Sequence, residues 1–186
     1  MNIFEIIPNQ QTPKVPVIED TAILEFLETN KEVLNDFLEF CKTKPNAVGL
    51  AVNQTSLNGE RFNVNVFGIK EYKNWKLIIN PKIHNYIGIK EIKVEGCLTW
   101  KERVVVAERS RGIVVSYFDI NGIEYKQKLI SGYSSQIFQH EINHLLGIEE
   151  RIEDNFIEPK QISVGRNDKC HCDSGVKYKH CCLLLL

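Results

Sequence analysis

The chain has 186 residues, 43% apolar and 25% charged, a composition with room for one globular domain of roughly 150 residues and a small annex. Its 23 Lys and Arg against 24 Asp and Glu leave a formal charge of −1, which excludes bulk attraction to nucleic acid or acidic membranes and leaves no basis for sequence-specific nucleic-acid binding. No apolar run approaches the roughly 20 residues of a spanning helix and no secretory signal follows Met1, so a cytoplasmic protein without a membrane partner is expected. Pro8, Pro13 and Pro16 make residues 1–18 an extended, turn-rich arm. From Asp20 or Thr21, either one a suitable N-cap, the spacing of Ile23, Leu27, Leu34, Phe37, Leu38 and Cys41 predicts a helix to about Lys44, stopped by Pro45. The period then changes: Phe62, Val64 and Val66 alternate with polar residues, Trp75 to Ile79 is rich in strand formers, and Gly112 to Phe118 and Ile123 to Leu129 flank Asn121-Gly122 as a hairpin would. This β-rich middle is predicted to be antiparallel. A second helix is predicted from about Gly132 to Leu146, with Gly147 as its stop, and residues 148–160 read as an acidic linker.

The second helix carries His140-Glu141-Ile142-Asn143-His144. Two histidines four apart project from one helix face about one turn apart and can share a cation, while Glu141, about 100° around the helix, can reach a water there without ligating the ion. A catalytic metal site offers three protein ligands and an open position, so a third is needed. Glu150, six residues beyond His144 with Gly147 between, gives a frame similar to that of metzincin proteases with a carboxylate as last ligand. Cys97, in Glu95-Gly96-Cys97-Leu98-Thr99, gives a soft thiolate instead. Residue chemistry alone leaves both open.

Three stretches in order, Ala47-Val48-Gly49-Leu50-Ala51-Val52-Asn53-Gln54, then Glu95 to Thr99, then Gln139-His140-Glu141-Ile142-Asn143-His144-Leu145, resemble the motifs of the peptide deformylases over about residues 3–155. That family removes the formyl group from the initiator methionine of nascent proteins. The resemblance implies an α+β fold with antiparallel sheets around a central metal-binding helix. It also implies Cys97, His140 and His144 as ligands of one divalent metal, Fe²⁺ usually, with Zn²⁺, Ni²⁺ or Co²⁺ able to take its place. Glu141 becomes the general base, and the Gln54 amide and Leu98 N–H become donors to the oxygen that gains charge. Val48, Gly49, Tyr133, Gln136 and Ile137 would hold the substrate, with Tyr133 and Gln136 making the pocket more polar than usual, and Arg103 is a candidate for the peptide backbone. The departures are Ala47 for glycine, Asn53 for a small residue or proline, Thr99 for serine and Asn143 for aspartate; none removes a ligand, base or donor. Two rival readings remain: a metzincin-like protease using Glu150, and a catalytically degenerate scaffold acting as an adaptor.

Cys170, Cys172, Cys181 and Cys182 cluster near the end of the chain, where four thiolates can close a tetrahedral zinc site in a segment too poor in apolar side chains to fold by burial. His180 is an alternative ligand to Cys181. The segment, with Gly165-Arg166-Asn167-Asp168, Ser174-Gly175 and Lys177-Tyr178, resembles the SEC-C motif, which implies one structural Zn²⁺ and a ribosomal or translocation-related partner. The expected organisation is a catalytic domain over 1–155, a linker over 156–162 and a zinc tail over 163–186.

Overall fold

A computed structural model describes residues 2–153, 165–169 and 176–180. The first strand, β1 (Phe4–Ile6), lies in the arm and pairs with β3 (Thr55–Leu57), which also pairs with β4 (Glu60–Arg61) in a small antiparallel sheet. The larger sheet contains β2 (Gly49–Ala51), β5 (Val66–Glu71), β6 (Asn74–Gly96), β7 (Val104–Phe118) and β8 (Glu124–Ser131), hydrogen-bonded in that order and antiparallel throughout. The short strand β9 (Arg151–Glu153) shares one edge of β7 with β8, pairing with Val104–Val106.

Two helices sandwich this sheet. Helix α1 (Ile23–Lys42) buries Ile23, Leu27, Leu34, Phe37 and Cys41 as its spacing predicts, against Phe4, Val66, Trp75, Leu77 and Ile79. On the opposite face α2 (Gly132–Leu146) sets Ile137, Phe138, Ile142 and Leu145 against Phe67, Ile69, Ile78, Ile113 and Val115. Successive residues of β5 and β6 therefore feed different cores: Val66 and Ile79 face α1, whereas Phe67 and Ile78 face α2. Such double-sided burial reads as a continuous apolar run, not as alternation.

Local details correct the sequence expectations. Neither Asp20 nor Thr21 caps α1; a 3-10 turn at Asp20–Ala22 leads into it, and Asp20 Oδ1 instead accepts from Asn80 Nδ2 at 3.2 Å. Phe62 and Val64 precede β5 and are not in a strand, and β6 runs far beyond Ile79. Residues 151–153 are a sheet strand and not linker. The turn at Asn121-Gly122 does join two strands, with Asp119 Oδ1 accepting from the Asn121 and Ile123 N–H groups. No helix among the described residues is long and apolar enough to cross a membrane.

Candidate metal centre

Two elements deliver the candidate ligands. Cys97 opens the turn between β6 and β7, and His140 and His144 lie on successive turns of α2, whose buried face turns them toward that turn. One donor atom from each lies within 4.8 Å of the others. His140 Nε2 and His144 Nε2 are 3.2 Å apart, and Cys97 Sγ is 3.3 Å from His144 Nε2. A tetrahedral ion with ordinary metal–nitrogen and metal–sulfur lengths would set such edges at about 3.3 and about 3.6 Å, so the donor set fits one.

The other nitrogen of each ring faces an acceptor. His140 Nδ1–H donates to Glu95 Oε2 at 2.7 Å, and Arg109 grips the same carboxylate through Nε at 3.0 Å and Nη2 at 2.7 Å. Thr12 Oγ1 donates to the His144 carbonyl at 2.8 Å and so offers its oxygen to His144 Nδ1, 3.4 Å away. Both imidazoles thus turn Nε2 toward Cys97, as two ligands of one ion must. Burial pushes the Glu95 carboxyl up, but hydrogen bonds from His140 and Arg109 outweigh it and bring its pKa down to about 2. Burial likewise disfavours charge on His140; its contacts with Cys97 and Glu95 prevail and hold its pKa well above the ordinary imidazole range. On His144, burial and the neighbouring His140 push the other way.

Glu141 is buried beside this cluster, and its Oε2 has no partner among the described residues. Burial raises its pKa to about 7, with His140 partly offsetting the effect. Gly49 makes room for it: a Cβ there would collide with Glu141 Oε1 and lie 2.8 Å from Ile137 Cγ2. Gln54 ends a 3-10 turn (Val52–Gln54); its Oε1 accepts from the Ala51 N–H at 2.8 Å, and its Nε2 donates to Thr99 Oγ1 at 2.9 Å and toward Cys97 Sγ at 3.4 Å. A cavity of about 430 Å³ opens beside these groups, lined by Gln54, Leu98, His140 and Glu141 together with Val48, Gly49, Tyr133, Gln136 and Ile137. Arg103 is exposed and does not line it.

A family model described as polypeptide deformylase matches residues 14–154. The chain belongs to the polypeptide deformylase family. A peptide deformylase of Thermotoga maritima is 33% identical over 135 residues, spanning 72% of this chain and 78% of that protein. One of Thermotoga petrophila is 38% identical over 101 residues, 54% of this chain and 58% of that protein. The crystal structure of the Thermotoga maritima peptide deformylase superimposes with a TM-score of 0.61 at 26% identity, covering 78% of this chain and 92% of that one. A SEC-C motif matches residues 166–184.

The rival third ligand is accounted for: Glu150 Oε1 accepts from Arg109 Nη2 at 2.5 Å and from Asn143 Nδ2 at 2.7 Å, and it is not in the Cys97, His140, His144 group. Sequence reasoning missed Thr12, Arg109 and the role of Glu150. Arg109 carried a weak signal, one of two arginines, with Arg111, between the apolar runs Val104–Val106 and Ile113–Val115 of one strand. Cys170, Cys172, Cys181 and Cys182 lie outside the described residues. The described parts of the tail meet each other: Lys169 bridges to Lys177, and the Tyr178 and Lys179 N–H groups donate to the Asp168 and Arg166 carbonyls at 2.8 and 2.9 Å.

Proposed function

We propose that the chain is a metal-dependent hydrolase that removes the N-formyl group from the initiator methionine of nascent peptides and releases formate. The observation that carries this reading is the meeting of Cys97 Sγ and two imidazole Nε2 atoms beside a buried carboxylate oxygen that has no partner among the described residues, at the wall of a cavity in a deformylase fold. Cys97, His140 and His144 would hold the divalent metal, Fe²⁺ in the first instance and Zn²⁺, Ni²⁺ or Co²⁺ as alternatives; when bound it acidifies a water and polarises a carbonyl.

The chain's own groups do the rest. Glu141, with a pKa of about 7, takes a proton from the attacking water and returns it to the amine nitrogen as the formyl C–N bond breaks, leaving formate and a free amino terminus. The Gln54 side chain, anchored through Ala51 and Thr99, keeps one N–H directed to the Cys97 side of the cavity. With the Leu98 N–H it donates to the formyl oxygen as that oxygen gains charge. Val48, Gly49, Tyr133, Gln136 and Ile137 receive the methionine side chain. The tail is proposed to bind one structural Zn²⁺ through Cys170, Cys172, Cys181 and Cys182 and to hold the enzyme near a ribosomal or translocation partner in the cytoplasm, the SEC-C match supporting this reading.

Formate released from a formyl-Met peptide by the metal-loaded full-length protein is the test. Glu141→Ala is expected to lower turnover by about 10²–10⁴-fold while metal content stays at wild-type level. No formate from metal-loaded wild type would overturn the reading.

A further inference from the structure

We propose that Glu150 is a positioning residue of this centre: through Arg109 and Glu95 it governs how His140 presents its Nε2, with Asn143 as the neutral donor that allows Glu150 to carry the charge. The inference rests on the reading of Cys97, His140 and His144 as an ion-binding set.

The chain after α2 turns back at Gly147, whose N–H donates to the His144 carbonyl at 3.1 Å while the Ile148 N–H donates to the Asn143 carbonyl at 2.9 Å. That reversal returns Glu150 to the outer side of the histidine helix. Two donors converge on its Oε1, Arg109 Nη2 at 2.5 Å and Asn143 Nδ2 at 2.7 Å. The same Arg109 nitrogen donates at 2.7 Å to Glu95 Oε2, and that oxygen is the one facing His140 Nδ1 at 2.7 Å. The path Asn143, Glu150, Arg109, Glu95, His140 is therefore continuous. Its ion pairs are shut from water, with Arg109, Glu95 and Glu150 side chains 3%, 6% and 7% exposed.

The charges give the path its function. One guanidinium stands between two carboxylates, so the cluster keeps one negative charge in excess behind His140. In a site with little water this excess favours a cation in front of the ring. Glu95 shares its arginine with Glu150 and so remains a strong acceptor for the imidazole N–H, which fixes the ring's tautomer and orientation. Without the charge of Glu150, Arg109 would neutralise Glu95 alone, and the hold on His140 would weaken. Position 143 must then be a neutral donor: a carboxylate there would face the Glu150 carboxylate across the same short contact. Charge and amide are thus paired between positions 143 and 150 and can be exchanged.

The experiment is a double-mutant cycle in the full-length protein, Glu150→Gln, Asn143→Asp and both together, with Co²⁺ as probe. The readouts are apparent Co²⁺ affinity by chelator competition, the visible spectrum of the Co²⁺-loaded protein, and formate release resolved into kcat and KM. Glu150→Gln is expected to weaken Co²⁺ binding by about 10–100-fold and to lower kcat with KM within about twofold. Asn143→Asp alone, with like charges in contact, is also expected to impair binding. The double variant, with wild-type charge and the amide now donating from position 150, is expected to recover to within about threefold of wild type. Glu150→Gln within about twofold of wild type in affinity and kcat, or a double variant no better than the product of the singles, overturns the proposal. Should Glu150→Gln not fold, the double variant decides: recovered folding and Co²⁺ affinity support the proposal, and their failure overturns it. Affinity and spectrum need no deformylase turnover, so the failure of this inference and that of the proposed reaction are distinguishable.

Discussion

Gln136 lies one helical turn before His140 and lines the cavity together with Val48 and Ile137. With the cavity receiving the methionine side chain as proposed, the Gln136 amide makes its wall less selective against polar side chains. Gln136→Leu is expected to raise the preference for formyl-Met over a formyl peptide with a polar first side chain by about tenfold in kcat/KM, measured by competition of the two peptides. An unchanged ratio would remove Gln136 from the determinants of specificity. Glu95 makes a different prediction. Its pKa of about 2 lies below the ordinary 4.5, so the folded state holds this carboxylate ionised more firmly than the unfolded chain does. The stability it contributes is fully present above the unfolded value and drains away as pH falls toward about 2. Between about pH 6 and about pH 3, wild type is expected to lose more unfolding free energy than Glu95→Gln, as read by denaturant titration; equal losses would contradict the assignment. Glu95 was legible as a motif residue, whereas its clamp was not. Arg109 and Glu150 are far apart in sequence, and only the register of β6 against β7, with Glu91 opposite Arg109, puts that guanidinium near the start of the turn that bears Cys97.

At the level of the element, the end of α2 was readable because its stop is a local signal: Gly147 adopts a φ of +65° and closes the helix where the sequence places the stop. The same glycine has a tertiary function invisible in the local pattern. A Cβ on it would lie 2.6 Å from the Lys14 backbone nitrogen, because the arm crosses there and the Val15 N–H donates to the Leu145 carbonyl at 2.9 Å. Gly147→Ala combines left-handed strain with that backbone clash and is expected to cost at least about 1–3 kcal/mol of stability by thermal or chemical unfolding. A variant as stable as wild type would mean that the arm yields freely. Strands β1 and β9 were missed for a common reason. Each has three residues and takes its structure from the partner strand, β3 or β7, so neither carries a pattern long enough to show in sequence.

For the whole molecule, the sheet between α1 and α2 holds Cys97, His140 and Gln54 on separate elements, so the site depends on the complete 2–153 body and not on any one motif. The order of the motifs made the site readable from sequence; the long β6–β7 hairpin that sets their distances was not, since register shifts between Ile83 and Asn85 and between Ile87 and Lys90 break the alternation of its exposed apolar residues. The tail makes the last prediction. Deletion of residues 163–186 is expected to leave kcat/KM on a short formyl-Met peptide within about twofold, while bound metal falls from two ions per chain to one, by elemental analysis. Lost turnover on the short peptide would make the tail part of the catalytic body.

The crossing of the arm over the end of α2 also bears on the order of synthesis. Thr12 and Val15 are synthesised some 130 residues before the His144 ring and the Leu145 carbonyl they engage. Until then an unfinished copy has no closed cage for its ion. With the proposed activity, a copy still in synthesis has no turnover to offer until the arm and the end of α2 have met.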